Sequence, residues 1–214
     1  MPTIIVLMGA PGAGKGTQAR LLQERLSLPQ ISTGDIFRSL AEANTPLANE
    51  VREIQQGGRL IPDRVVIRVV AERTSQDDCR NGYILDGFPR TAAQAAALDT
   101  IVDPSALIVV LLAASDEDII RRLALRRICD ACAITQSIPD GSEDRDGCPY
   151  CGGQLVRRPD DHPDTVRRRL ATYAEFATPV MEFYRDRRTF GIVDGLRSAA
   201  EVTAALSAHI DRFK

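Results

Sequence analysis

Apolar and polar positions along the chain fall into two alternating rhythms. Thr3 to Met8 is a β-branched and apolar run that stops at a glycine-rich turn. Residues 83–88 (YILDGF) and 105–113 (SALIVVLLA) are further short, continuous apolar runs. Such runs suit strands of a parallel sheet buried on both faces. Between them the spacing becomes helical. Ala19, Leu21, Leu22 and Leu26 supply the apolar positions of a helix that closes before Pro29. Helices are also predicted over about 34–43, 47–57, 63–75, 91–100 and 116–128. Asp63 after Pro62, and Ser115 before Asp116 and Glu117, are helix-start signals. A long helix over about 164–187, a strand near 189–193 and a last helix from 199 complete the pattern. Strands alternating with helices predict an α/β fold with a doubly wound parallel sheet.

Residues 129–153 break this rhythm. The stretch is rich in Gly, Asp, Pro and Ser and has no helical period, which marks a small insertion with its own means of staying folded. It holds Cys129-x2-Cys132 and Cys148-x2-Cys151, two knuckles at the spacing of a structural zinc site. Thiolates are soft ligands, and four of them close the tetrahedron, leaving no open position for substrate. A ribbon of this kind could also bind nucleic acid. Here Glu143, Asp144 and Asp146 beside Arg145 would repel a phosphate backbone. The fifth cysteine, Cys79, reads as a small thiol in a core or at a helix end.

With 214 residues the chain can bury a good core as one domain with small insertions. Its net charge of −2 offers no global field for nucleic acid or anionic membrane. The longest apolar run, Ala106 to Ala114, is too short to span a bilayer, and no secretion signal is recognisable. A cytoplasmic location is the expectation, and an odd cysteine count there argues against a disulfide framework.

The chemistry begins at residues 9–18, GAPGAGKGTQ. A buried strand delivers the chain to Gly9, glycines let backbone N–H groups turn inward, and a helix is predicted to begin at about Gly16. Backbone donors and a helix N-terminus favour an anion there, with Lys15 as a point charge on the outer phosphates. A lysine within such a turn has no evident structural purpose. Asp86 ends the apolar run YILD, where a carboxylate is suited to holding Mg²⁺ through water. Arg122 and Arg126, four apart on a predicted helix, would share a face.

Four stretches together resemble the adenylate kinases, in order and at family spacing: GAPGAGKGTQA, PQISTGDIFR, CRNGYILDGFPRT and the DD…TVRRRL segment. The resemblance covers essentially the whole chain. It implies a five-stranded P-loop kinase core (1–31, 62–125 and 162–214), a helical AMP-binding insertion over 32–61 and a zinc-bearing lid over 126–161. It also implies Mg²⁺-dependent, reversible transfer of the ATP γ-phosphoryl group to AMP, giving two ADP; nothing in the sequence demands more than a monomer. On the family's pattern, the backbone of Gly12, Ala13, Gly14, Lys15, Gly16 and Thr17 would cradle the ATP phosphates. Arg122, Arg126 and Arg197 fall on the donor side. Thr33, Arg38, the segment Arg59-Leu60-Ile61, the run Gly87-Phe88-Pro89-Arg90 and Gln94 fall on the AMP side. Arg158 and Arg169 would close onto the phosphates. Phosphoryl transfer needs positioning and fixed positive charge rather than a nucleophilic side chain, so converging arginines are its natural solution. The remaining arginines of that segment, Arg167 and Arg168, read as surface charges. Many members carry an aromatic–histidine pair beyond the first two cysteines; Gln136 and Ser137 stand at the aligned positions here. A kinase of the same fold using GTP, and a zinc-ribbon nucleotide switch or nucleic-acid adaptor, are the rival readings. A switch needs no second nucleotide site, so Arg38, Arg90, Arg158 and Arg169 count against it.

Overall fold

The structure is a computed structural model and describes residues 2–42, 45–57, 59–138 and 147–214. Strand β1 (Thr3–Met8) leads into helix α1 (Lys15–Leu26), followed by β2 (Gln30–Ser32), α2 (Thr33–Glu42), α3 (Pro46–Gln56) and α4 (Asp63–Thr74). Then come β3 (Gly82–Asp86), α5 (Ala92–Ile101), β4 (Leu107–Ala113) and α6 (Asp116–Leu125). The chain next forms β5 (Arg126–Cys129), β6 (Thr135–Ser137) and β7 (Leu155–Val156) before α7 (Pro163–Tyr184), β8 (Phe190–Asp194) and α8 (Ala199–Ile210).

The main sheet has five parallel strands in the order β2-β3-β1-β4-β8. Alternate residues of β1 serve opposite layers, as the pleat requires. Ile4, Val6 and Met8 face α4, α5 and α7 through Val66, Val70, Leu98, Val180 and Tyr184. Ile5 and Leu7 face α1 and α8 through Ala19, Leu22, Val202, Leu206 and Ile210. With both faces covered, the strands need apolar residues throughout, which is why they read as continuous runs. Chain order reverses around β1, whose neighbours are β3 and β4, so a crevice opens beyond the carboxyl ends of these strands.

Two local expectations are corrected. Gln30–Ser32 is an edge strand held by its register on β3, Ile31 opposite Leu85, and the sequence pattern did not show it. The helix predicted to 128 ends at Leu125, and Arg126 already has extended backbone, with φ −70° and ψ 134°. Residues 126–129 instead pair antiparallel with both β6 and β7 in a small three-stranded sheet. Arg122 and Arg126 therefore do not share a helix face. Helices α2 and α3 pack on each other beside the main sheet. The acidic tip residues Glu143, Asp144 and Asp146, with Arg145, lie outside the described residues.

Candidate active site

The phosphate-loop glycines do what their type allows. Gly14 caps α1 at φ +102°, in left-handed conformation, and supplies no side-chain bond to the helix N-terminus. The first amides of α1 are thus left for an anion from the cleft, at the positive end of the helix dipole. Lys15 lies at the floor, where its Nζ donates to the carbonyls of Gly9 at 2.8 Å and Ala10 at 2.9 Å. The lysine thus has a structural task after all, bracing its own loop. Loss of hydration lowers its pKa to about 8 against the opposing pull of Asp86. Asp86 ends β3 opposite Leu7 of β1. Burial raises its pKa, with Lys15 acting in the other direction.

The arginines converge across the crevice. Arg38, Arg90, Arg126, Arg158 and Arg169 line one cleft of about 680 Å³ with the phosphate loop and Asp86. That volume suits nucleotide-sized ligands. Two adjacent carboxylates hold this positive charge in place. Asp161, with no exposed side-chain surface, accepts from Arg126 Nε at 2.6 Å and lies 3.5 Å from Arg169 Nη1. Asp160 pairs with Arg169 at 3.0 Å and reaches Arg38 at 3.9 Å. Burial pushes the Asp160 carboxyl upward, but Arg169, Arg38, Arg126 and Arg158 outweigh it and bring it below the ordinary range. Arg90 and Arg158 are each lowered to about 10, chiefly by burial and then by neighbouring arginines. Such mutual repulsion among cations is relieved by polyanions.

On the side of α2 and α3, Thr33 is buried, and its hydroxyl donates to the Gly87 carbonyl at 2.9 Å. Gly87 has φ +81°, and a Cβ there would come within 2.9 Å of Arg90 Nη2. Arg90 in turn donates from Nε to the Gly87 carbonyl at 2.7 Å. A small recess of about 60 Å³ joins Thr33, Gln94, Arg59, Leu60 and Ile61 to Gly87 and Arg90. Gln94 is buried there, its Nε2 donating to Asp63 Oδ1 at 2.7 Å and its Oε1 accepting from the Arg90 N–H at 2.8 Å. Pro89 lines the larger cleft, whereas Phe88 packs into the core.

At the other end of the cleft, Arg122 donates to the Gly195 carbonyl at 2.6 Å, and Arg197 pairs with Asp194 at 3.4 Å. Gln18 ties α1 to α8, donating to the Ala199 carbonyl at 3.0 Å and accepting from the Thr203 hydroxyl at 2.7 Å. Gln136 and Ser137 line the same cleft.

The four cysteines of the small sheet come together. Their Sγ atoms all lie within 4.8 Å of one another, with Cys129 and Cys151 at 3.4 Å and Cys132 and Cys148 at 3.7 Å. A tetrahedron with Zn–S bonds of about 2.3 Å has S···S edges of about 3.8 Å, so the donor set fits zinc. The fifth, Cys79, is buried at the end of a short 3-10 turn, as expected of a small thiol in a core or at a helix end.

A family model described as adenylate kinase matches residues 7–189. An adenylate kinase of Clostridium perfringens (strain 13 / Type A) is 43% identical over 206 residues, covering 94% of each chain. One of Clostridium botulinum (strain Loch Maree / Type A3) is 40% identical over 214 residues, covering 98% of this chain and 99% of its own. The chain belongs to the adenylate kinase family.

Adenylate kinases are phosphotransferases, and the chain is an enzyme of that class, converting ATP and AMP to two ADP. Sequence reasoning named the arginines of this adenylate kinase fold but missed the groups that aim them. Asp160 and Asp161 appeared only as part of a quoted motif, and Asp63 only as a helix start. Two adjacent carboxylates just before an arginine-rich helix were the available signal. Arg167 and Arg168 are both exposed, as expected of surface charges. Arg167 is an exposed partner of Asp164, but Arg168 donates to the carbonyls of Gly57 and Gln56. Among the described residues, no helix is long and apolar enough to cross a membrane.

Proposed function

We propose that the residues of this cleft carry out the family's reaction in the following roles. The donor phosphates lie over the N-terminus of α1, cradled by the backbone of Gly12 to Thr17. Lys15 exchanges its loop carbonyls for phosphate oxygens. Arg122 and Arg197 attend the donor nucleotide. Arg38 and Arg90 clamp the phosphate of AMP, and Thr33 and Gln94 attend its base. Arg126, Arg158 and Arg169 surround the group in transit. A phosphate oxygen of AMP attacks the γ-phosphorus of ATP, the bond to the β–γ bridging oxygen breaks, and that oxygen leaves on ADP. No side chain need act as nucleophile; charge and alignment do the work.

Mg²⁺ bound with ATP would neutralise phosphate charge, and Asp86 is the carboxylate placed to hold it through water. Cys129, Cys132, Cys148 and Cys151 would hold a structural zinc ion. The insertions over 32–61 and 126–161 are the parts that would close on the substrates and exclude water, which otherwise would accept the phosphoryl group. A monomer in the cytoplasm suffices for this activity.

The observation that carries the residue assignment is the convergence of Arg38, Arg90, Arg126, Arg158 and Arg169 on one cleft with the phosphate loop. Arg90→Ala tests it. It removes a charge-assisted contact that strengthens in the transition state, so turnover should fall by at least about a hundredfold while the fold persists. Near-normal turnover in the folded variant would remove Arg90 from the role.

A further inference from the structure

We infer that Arg168 is a positioning residue for the acceptor nucleotide, acting by clasping the C-terminus of α3 to α7. The last carbonyls of a helix have no partner within it and carry the negative end of its dipole. At the end of α3 these groups meet α7. Arg168 Nε donates to the Gly57 carbonyl at 3.2 Å, and Nη2 donates to the Gln56 carbonyl at 3.3 Å. Thr165, three residues earlier and on the same face, is buried with its hydroxyl 3.5 Å from the same Gln56 carbonyl. Arg168 Nη2 also donates to Thr165 Oγ1 at 3.0 Å, so the two side chains form one unit. A guanidinium fork can bridge two carbonyls in a fixed geometry, which a lysine ammonium on a flexible stem cannot reproduce.

The clasp lies between two parts of the site. Just beyond Gly57, the segment Arg59-Leu60-Ile61 lines the recess shared with Thr33 and Gln94. Adjacent to Arg168 in the chain, Arg169 enters the arginine cluster through Asp160 and Asp161. The first turns of α7 thus hold the wall of the acceptor recess with one residue and supply the phosphate cage with the next. Without Arg168, the exit from α3 keeps its local bonds, Gly57 N–H to Glu53 and Arg59 N–H to Ile54, but loses its charged link to the core. The donor end, around Arg122, Gln18 and Gly195, makes no use of this clasp.

This inference rests on the reading of the recess as the AMP site, and the test separates the two. Arg168→Ala, Arg168→Lys and, as a control, Arg167→Ala are made in the full chain. Amide hydrogen exchange at Gly57 and Arg59 is followed without nucleotide, and KM for AMP, KM for ATP and kcat are then measured. Arg168→Ala should speed exchange at both amides and raise KM for AMP about fivefold, the effect of roughly one net hydrogen bond. KM for ATP should stay within about twofold. Arg168→Lys should fall between, and Arg167→Ala should match the parent. Unchanged exchange overturns the clasp. Faster exchange with unchanged KM for AMP, or an equal rise in both KM values, overturns its role in acceptor positioning. If the parent enzyme does not use AMP, the recess reading fails and the positioning role falls with it.

Discussion

Asp161 and Arg126 join the root of the small antiparallel sheet to the start of α7. The carboxylate of Asp161 is wholly buried and takes both Nε and Nη2 of Arg126. A bidentate pair of this kind fixes the plane of the guanidinium before any substrate arrives. Removing Asp161 leaves the largely buried Arg126 guanidinium, 17% exposed, without its bidentate partner. Asp161→Ala should therefore destabilise the protein by about 3 kcal/mol in urea unfolding. Turnover should also fall, since Arg126 and Arg169 both lose their aim. A stability change below about 1 kcal/mol would show that the pair is replaceable.

Lys15 gives a pH signature with a determined sign. Its pKa is lowered from 10.5 to about 8 in the folded, unliganded protein. Between these values the unfolded chain holds a proton that the folded protein has released, so stability gains with rising pH across this window. Lys15→Met should lack that gain, which unfolding curves at pH 8 and 10 would reveal. Nucleotide phosphates raise the lysine pKa again, so ATP binding near pH 8.5 should take up a proton. Calorimetry in two buffers of different ionisation enthalpy reads this uptake directly; no buffer dependence would contradict it.

The Gln94 amide is already half used. It donates to Asp63 and accepts from the Arg90 backbone, which leaves one N–H and one lone pair for a base. Asp63 also fixes which end of the amide faces the recess, since a carboxylate accepts and cannot donate. Gln94→Ala and Asp63→Ala should both weaken the preference for AMP over CMP more than they slow AMP at saturation. An unchanged preference in either variant would count against this division of roles.

The main sheet was legible because its strands are buried on both faces, so β1, β3 and β4 needed only an apolar run to be seen. Gln30–Ser32 was not, since a polar residue flanks Ile31 on each side and only pairing with β3 makes it a strand. The boundary at Arg126 failed for a related reason. Residues 126–128 extend the helical period of α6 on paper, but bonding to β6 and β7 outweighs that local preference. Candidate residues carried by chain-local motifs were legible, and the structure brings Lys15 and Arg90 to one cleft and the four cysteines together. Asp161 and Arg168 act on partners far away in sequence, Arg126 and Gly57, and no local spacing announces that.

The cysteine cluster separates structure from chemistry. Four thiolates fill a zinc ion's coordination sphere, so the metal should hold β5, β6 and β7 together rather than activate a nucleophile. Metal analysis should give about one equivalent of zinc. Chelation, or Cys129→Ser with Cys148→Ser, should lower Tm and speed amide exchange in β5, β6 and β7 first. Some transfer activity should survive at low temperature, because the main sheet and phosphate loop lie elsewhere. Complete loss of activity from a still-folded, metal-free protein would give the metal a larger part than this.

The chain converts ATP and AMP to two ADP. The most direct measurement follows nucleotide products by chromatography after mixing the protein with Mg²⁺, ATP and each of AMP, CMP, UMP and GMP in turn. The expected result is about two ADP formed per ATP consumed with AMP, far slower reaction with the other three, and no reaction without Mg²⁺. Faster use of another monophosphate, or ATP consumed to ADP and free phosphate without loss of AMP, would contradict it.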